Sequence, residues 1–204
     1  KGRVLTIINW ESAEGMALHL NVEHEGLVIT GARRHQTMRK IRRMVPELLL
    51  LAEPDAHDVL EASAETFWHI SGSDEEGLFD SPTLADTLAV QRENGAGVVL
   101  LPAGFIEVGD VDTLRNIVFA ANELADDDIA LPIYLATGWL KPEFKEFLIA
   151  VLSAATHPVL LAFGSSTNPL NTARKLALYV DIIASAGVFS WRCDFAGLAA
   201  VAHG

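Results

Sequence analysis

Carboxylates that could act as catalytic groups occur at two places where an apolar run ends. Asp194 follows the run GVFSWRC, and Glu53 and Asp55 follow the run ELLLLA, with His57 two residues further on. A carboxylate is costly to bury at the end of an apolar strand unless it has a partner or a function. We therefore take Asp194 as the candidate nucleophile or general base, and Glu53 or Asp55 as its acid–base partner.

Each of these carboxylates also has a structural interpretation. Asp194 could cap a helix formed by FAGLAAVAHG or pair with Arg192, and Asp55 could cap a helix that begins near His57. The group Glu53, Asp55 and His57 could instead hold a divalent cation. We assign no metal, because the acid–base interpretation needs none.

Two arginines supply a candidate anion-binding site. Arg33 and Arg34 follow the apolar run GLVIT and precede the predicted helix TMRKIRRMV, where a guanidinium pair could clamp a phosphate or a carboxylate. Further basic residues on that helix are Arg39, Lys40, Arg42 and Arg43, so six of the 15 basic residues lie within 33–43. The apolar positions Met38, Ile41 and Val45 predict that these side chains form a solvated face, with RNA binding by the whole segment as the alternative.

Other candidate substrate-binding residues follow the remaining predicted strands. Aromatic rings at strand ends could stack on a substrate ring, and small hydroxyl residues before a helix could bind an anion through backbone N–H groups. The candidate substrate-binding set is Arg33, Arg34, Asn9, Trp10, Trp139, Ser165, Ser166 and Arg192. Helix capping and packing at the rim are the alternative roles for these residues.

Apolar runs and amphipathic stretches alternate along the whole chain, which is typical of a parallel α/β fold. In such a fold the candidate residues share one location, at the carboxyl ends of the strands. Strands are predicted at 4–9, 26–30, 47–53, 96–102, 130–136, 158–164 and 187–194. Helices are predicted to begin near Asp110 or Asp112, near Pro142 and near Asn168, and to occupy 57–70 and 81–95. The irregular residues 71–82 are interpreted as an insertion.

Two architectures fit this alternation, and both bind ligands at the carboxyl ends of their strands. The first predicted strand ends in IINWES, without the G-x-G-x-x-G turn of nucleotide-binding open sheets. This favours a parallel (β/α)8 barrel of the TIM type, with an open doubly wound sheet as the alternative. The sequence stops at GLAAVAHG, before an eighth strand, so we expect residues 1–204 to be a single barrel domain that is incomplete at its C-terminus.

Composition limits the class of protein further. A chain of 204 residues that is 50% hydrophobic, with Cys193 as its single cysteine, is predicted to bury a core without disulfides. A net charge of −12 argues against a general nucleic-acid or membrane coat protein. His157 and Pro158 interrupt the apolar stretch 147–164, which therefore predicts a helix followed by a strand and no membrane association. Since the sequence has no signal-type segment and begins at Lys1, we expect a cytoplasmic protein with a trimmed start.

Several chemistries lack the residues that they require. The sequence contains no H-x-H after the first strand, no H-E-x-x-H, no G-x-S-x-G, no G-x-x-x-x-G-K-[ST] and no C-x-x-C. We accordingly expect no cofactor.

The segment FSWRCDFAGLAAVAHG, residues 189–204, resembles the late strand–helix segment of bacterial barrel proteins that are distantly similar to tRNA-guanine transglycosylases. The resemblance implies a (β/α)8 barrel in which an aspartate attacks a ribose carbon to exchange a base, and Asp194 is the residue at the comparable place. The chain departs from that family, because it has Asp80-Ser81-Pro82 and no Asp-Ser-Gly-Gly motif, and because it lacks a cysteine-rich zinc site.

These observations favour an enzyme that acts on a small polar or anionic substrate by glycosyl transfer or hydrolysis, with base exchange included. Two opposed carboxylates suffice for such chemistry. The alternative is a non-catalytic binding or regulatory domain, associated with RNA through residues 33–43 or assembled as a homo-oligomer through an open barrel edge.

Overall fold

A computed structural model describes residues 4–70, 82–164 and 169–192 of the chain. Strands and helices alternate along these residues, and the sheets are mostly parallel, so the predicted α/β class is confirmed. The predicted (β/α)8 barrel is wrong, because the strands are divided between two open sheets of three and five strands.

The reason that no barrel forms lies in strand pairing. Closure requires every strand to have two neighbours. Within the described ranges, β1 (Val4–Asn9) pairs only with β2 (Glu25–Thr30), and β8 (Phe189–Ser190) pairs only with β7 (Val159–Gly164). Strand–helix alternation is the same in open and closed sheets, so the sequence pattern does not decide closure.

Contacts within the chain define two compact units. The first unit comprises Lys1–Asp55 and Ile70–Pro102, and the second comprises Ala56–His69 and Ala103–Gly204. None of the helices in the part of the chain that the structure describes is long and apolar enough to cross a membrane.

The first unit is built on β1, β2 and β3 (Leu49–Ala52), which are parallel and adjacent in that order. Its other elements are α1 (Trp10–Ala17), α2 (Arg34–Met44), α3 (Leu84–Glu93) and β4 (Val99–Leu100). Alternate residues of β2 and β3 pack with α1 and α2 in one core, formed by Ala13, Ala17, Leu27, Ile29, Met38, Ile41, Leu48, Leu50 and Ala52. The inward positions predicted for Met38 and Ile41 are therefore confirmed.

Helix α3 lies within the predicted range 81–95 and is joined to β4 by a buried side chain. Thr83 and Asp86 form a capping box at its start. Near its end, the Gln91 side chain donates to the carbonyl of Leu100 (2.8 Å) and accepts from the amide of Leu100 (2.9 Å). These two hydrogen bonds satisfy the backbone C=O and N–H of Leu100 in β4. Strand β4 is shorter than the strand predicted at 96–102.

The second unit contains β5 (Phe105–Ile106), β6 (Ile129–Ala136), β7 and β8, with β6 paired to both β5 and β7. Its helices are α4 (Val111–Asn122), α5 (Lys145–Ser153) and α6 (Ala173–Ala186). Of the two predicted caps, Asp110 is the N-cap of α4, and Pro142 begins a 3-10 turn that leads into α5.

Two predicted helices differ from the structure. Helix α6 is capped by Thr172, whose hydroxyl accepts from the amide of Lys175, and Asn168 lies outside the described residues. The stretch 57–70 is not a continuous helix. Only the 3-10 turn Ala56–Asp58 is helical there, and Glu61 and Trp68 form isolated bridges to Phe105 and Ala103. The backbone of this stretch pairs with the neighbouring backbone at Ala103 and Phe105, and it therefore does not form the hydrogen bonds of a helix.

Candidate functional site

Three strand ends meet at one edge of the first sheet. The parallel register places Asn9 opposite Thr30, and the amide of Glu53 donates to the carbonyl of Ile29 at 3.1 Å. The loops that follow these strands carry Trp10, Arg33, Arg34 and Asp55. The structure therefore brings together the predicted site residues that belong to the first unit.

Trp10 and Arg33 form a stacked pair on this edge. The Asn9 side chain accepts from the amide of Glu11 and so caps α1, which begins at Trp10. The Arg33 guanidinium lies 5.0 Å from the centre of the Trp10 ring. A cation over an indole face is stabilised by the ring quadrupole, which favours this position of the arginine. Because Trp10 is half-buried and Arg33 exposed, the pair presents a positive charge on a fixed ring.

Gly31 makes this arrangement sterically feasible. Its φ of +89° is in the left-handed region, and a Cβ there would lie 2.8 Å from Cδ1 of Trp10. The turn between β2 and α2 therefore needs glycine beside the Trp10 ring.

Arg34 and Asp55 form an ion pair that holds the same turn. Nη1 of Arg34 lies 3.0 Å from Oδ2 of Asp55 and also donates to the carbonyl of Gly31 at 3.2 Å. Oδ2 of Asp55 accepts from the amide of Gly31 at 3.4 Å. Asp55 itself has a φ of +55°, so backbone conformation and ion pairing together orient its carboxylate. The Asp55 carboxylate therefore holds the Gly31 turn by hydrogen bonds and does not cap a helix.

Glu53 is more deeply buried than the Trp10–Arg33 pair. Its side chain is fully buried. Because side chains alternate across a strand, Glu53 belongs to the sheet face of Leu51, while Ala52 faces α2. The opposing carboxylate of the predicted pair, Asp194, lies outside the described residues, as do Ser165 and Ser166. The opposed pair therefore stays a prediction.

The remaining predicted residues belong to the second unit. His57 stacks on Tyr134 with ring centres 4.0 Å apart, and its Nε2 lies 3.4 Å from the Asp58 carboxylate. Trp139 is fully buried and donates from Nε1 to the carbonyl of Glu107, which is a packing role. Arg192 is exposed with a φ of +52°. Among the residues that the structure describes, no group of three His, Cys, Asp or Glu side chains could hold a metal ion.

The basic segment 33–43 is not uniformly solvated. The Arg42 guanidinium donates to the carbonyls of Leu48 (2.9 Å), Gly95 (2.5 Å) and Pro46, and burial lowers its pKa from the usual value. Lys40 pairs with Glu14 at 2.9 Å. The cations of this segment that face solvent without such an ion pair or carbonyl cluster are Arg33, Arg39 and Arg43.

A small cavity lies on the helical side of the first sheet. Its volume is about 30 Å³, and it is lined by Arg34, His35, Ala52, Pro54, Thr87 and Gln91. Pockets for drug-sized ligands usually enclose about 300–1,000 Å³, so this cavity admits only a small group. Burial, followed by the charges of Arg34 and Arg39, lowers the pKa of His35 to about 4. The sequence alone does not single out His35, because its place in the cavity depends on Thr87 and Gln91 of α3, which are distant in sequence.

Comparison with known proteins does not identify a family. No protein-family model matches the sequence, and no curated protein matches it.

Proposed function

We propose that this chain is an enzyme that binds the anionic group of a small substrate at the carboxyl edge of the three-stranded sheet. The observation that carries the proposal is the Arg33 guanidinium held 5.0 Å over the Trp10 ring while exposed to solvent. A cation that already favours one position loses less conformational freedom when it forms a charge-assisted hydrogen bond.

Arg34 supports the same role indirectly. Its ion pair with Asp55 fixes the turn that contains Gly31, and this turn sets the direction in which Arg33 leaves the sheet. Arg33 is accordingly the substrate-contacting residue of the proposal, and Arg34 and Asp55 are positioning residues.

The proposed reaction is glycosyl transfer or hydrolysis, including base exchange, with Glu53 and Asp194 as the two carboxylates. Support comes from the complete burial of Glu53 at the end of β3. A carboxyl group held away from bulk water is the kind of group that serves as a general acid in glycosyl chemistry.

Binding of an extended polyanion such as RNA is the competing function, and the contacts of the basic segment favour it less. Arg42 is occupied by backbone carbonyls, and Lys40 is paired with Glu14. A long anion needs several free phosphate contacts, whereas a small substrate needs only the Arg33 surface.

The binding step can be tested with ribose 5-phosphate as the probe and tryptophan fluorescence as the signal. We expect saturable quenching that disappears in Trp10→Phe, and an affinity about tenfold lower in Arg33→Gln, because a charge-assisted hydrogen bond is lost. Arg43→Gln, an exposed arginine on the last turn of α2, is the matched control and should bind like the unmodified chain. Equal weakening by both arginine variants, with RNA binding that falls steeply with salt, would support the polyanion function instead.

The catalytic step can be tested with a panel of p-nitrophenyl glycosides. Glu53→Gln preserves shape and removes the acid, so we expect kcat to fall by about a hundredfold or more while KM changes little. Glu47→Gln, at an exposed position just before β3, is the control. If Glu53→Gln is as active as the control, the carboxylate mechanism is excluded, whatever the outcome of the binding experiment.

A further inference from the structure

We infer that the cavity beside α2 binds a free small oxyanion, of the size of acetate or phosphate, between Arg34 and His35. This site is separate from the exposed Arg33 surface and goes beyond the proposed function. The inference rests on three observations: the unequal use of the two edges of the Arg34 guanidinium, a buried nitrogen of His35, and a cavity between them.

The two edges of the Arg34 guanidinium differ in their partners. Nη1 is occupied by Asp55 and the carbonyl of Gly31. On the other edge, Nε is buried and has no hydrogen-bond partner among the described residues, and Nη2 reaches only the carbonyl of Pro54 at 3.5 Å. The edge formed by Nε and Nη2 is the one that binds a carboxylate or a phosphate through two parallel hydrogen bonds.

His35 supplies a second group without a partner in the same cavity. Its Nδ1 is buried and makes no hydrogen bond to the described residues. An uncharged imidazole can carry its proton on Nδ1 and donate it, so an anion between the two side chains would accept from both. Leaving two buried polar atoms unsatisfied is costly, and binding of an acceptor would relieve that cost.

The other lining residues contribute no acidic group. Gln91 uses its amide on the backbone of Leu100, and the Thr87 hydroxyl donates to the carbonyl of Thr83. Ala52 and Pro54 complete the wall with apolar surface. A ligand in the cavity therefore meets a guanidinium edge, an imidazole nitrogen and apolar contacts, which suits a compact anion.

The size of the cavity distinguishes a free ion from a substrate. A volume of about 30 Å³ is far below that of pockets for drug-sized ligands, so the cavity excludes a nucleotide and leaves a compact ion or water as its occupant. Ordered water is the alternative occupant, because water also satisfies buried polar groups.

The test is a titration of the ¹⁵N-labelled full chain with sodium acetate and, separately, sodium phosphate at constant ionic strength. The arginine Nε–H resonances are followed, and that of Arg34 is assigned by its loss in Arg34→Lys. We expect the Arg34 resonance to shift and saturate. The same resonance should saturate at about tenfold higher anion concentration in His35→Phe, which keeps the ring and removes both nitrogens. Arg43→Lys should leave the titration of Arg34 unchanged.

Two results would overturn the inference. An Arg34 resonance that does not saturate with either anion means that the cavity holds water only, and this result needs no variant besides the Arg34→Lys used for assignment. Loss of the saturable shift in Arg33→Gln means that the ion sits on the exposed surface. Since ribose 5-phosphate binding depends on Arg33 and the cavity on Arg34 and His35, failure of one proposal does not decide the other.

Discussion

Arg33, Arg34 and Arg42 lie close together in the sequence, yet their surroundings give them different roles. Arg33 lies exposed over Trp10, Arg34 is paired with Asp55, and Arg42 donates to backbone carbonyls. A guanidinium has five donors in a rigid plane, so the positions of its acceptors decide whether it binds a ligand or the protein's own backbone.

Replacing Arg42 should destabilise the first unit. Arg42→Ala leaves the carbonyls of Pro46, Leu48 and Gly95 without this donor. Hydrogen bonds to a charged donor contribute about 1.5–3 kcal/mol, so we expect the free energy of unfolding in urea to fall by about 2 kcal/mol. Arg43→Ala, at an exposed neighbouring position, should change it by less than about 0.5 kcal/mol. Similar effects of the two substitutions would show that the carbonyl contacts contribute little.

His35 should make the stability of the fold depend on pH. Burial and the charges of Arg34 and Arg39 lower its pKa from 6.5 to about 4, so the unfolded chain binds a proton that the folded chain resists. The stability that the uncharged His35 contributes to the fold is fully present above pH 6.5 and is lost as the pH falls towards 4.

The measurement is the free energy of unfolding from pH 7.5 to 4 for the unmodified chain and for His35→Gln. The difference in the free energy of unfolding between the two proteins gives the contribution of the imidazole, because the carboxylates are common to both. This difference should become smaller as the pH falls below 6.5. His19→Gln, at an exposed position, serves as the control. A pH-independent difference for His35→Gln would contradict the assigned environment.

At the scale of elements, helix ends and turns determine where the site residues lie. Asn9 caps α1 and so places Trp10 at its first position, and Gly31 lets the β2–α2 turn pass the Trp10 ring. In the second unit, α6 ends at Gly187 in the left-handed conformation. These local signals are short, and each depends on one residue.

Two glycine substitutions should have effects of opposite sign. Gly187→Ala forces a φ of +67° on a residue with a Cβ, so we expect a loss of about 1 kcal/mol in the free energy of unfolding. Gly15→Ala, inside α1 with nothing within 4 Å of the added Cβ, should increase it by about 0.5–1 kcal/mol. Thermal unfolding of both variants gives the comparison, and a stabilising Gly187→Ala would contradict the described C-cap.

At the scale of the whole molecule, the chain combines a strongly acidic composition with a basic segment on one helix of the first unit. The net charge is −12, while residues 33–43 carry six of the 15 basic residues. Acidic proteins repel anions at long range, so an anion that binds must be held by short-range contacts. The Arg33 surface and the Arg34 cavity both supply such contacts, and both lie within the first unit, so the two binding experiments concern that unit alone.

The sequence by itself determined the α/β class, the approximate strand positions and several helix starts, because periodicity and capping act over a few residues. Asp110 at the start of α4 and the inward positions of Met38 and Ile41 are examples. It also marked Arg33 and Arg34 as distinct from the basic residues that follow them.

Only the tertiary structure decided how the strands pair and what the side chains contact. The barrel was a wrong prediction because open and closed sheets share the same local pattern, whereas pairing joins residues distant in sequence. For the same reason, the sequence did not reveal that Arg34 holds Asp55, that Arg42 binds backbone carbonyls, or that His35 borders a cavity with α3. Burial and partner choice are long-range properties, and they decide whether a charged residue is available for chemistry.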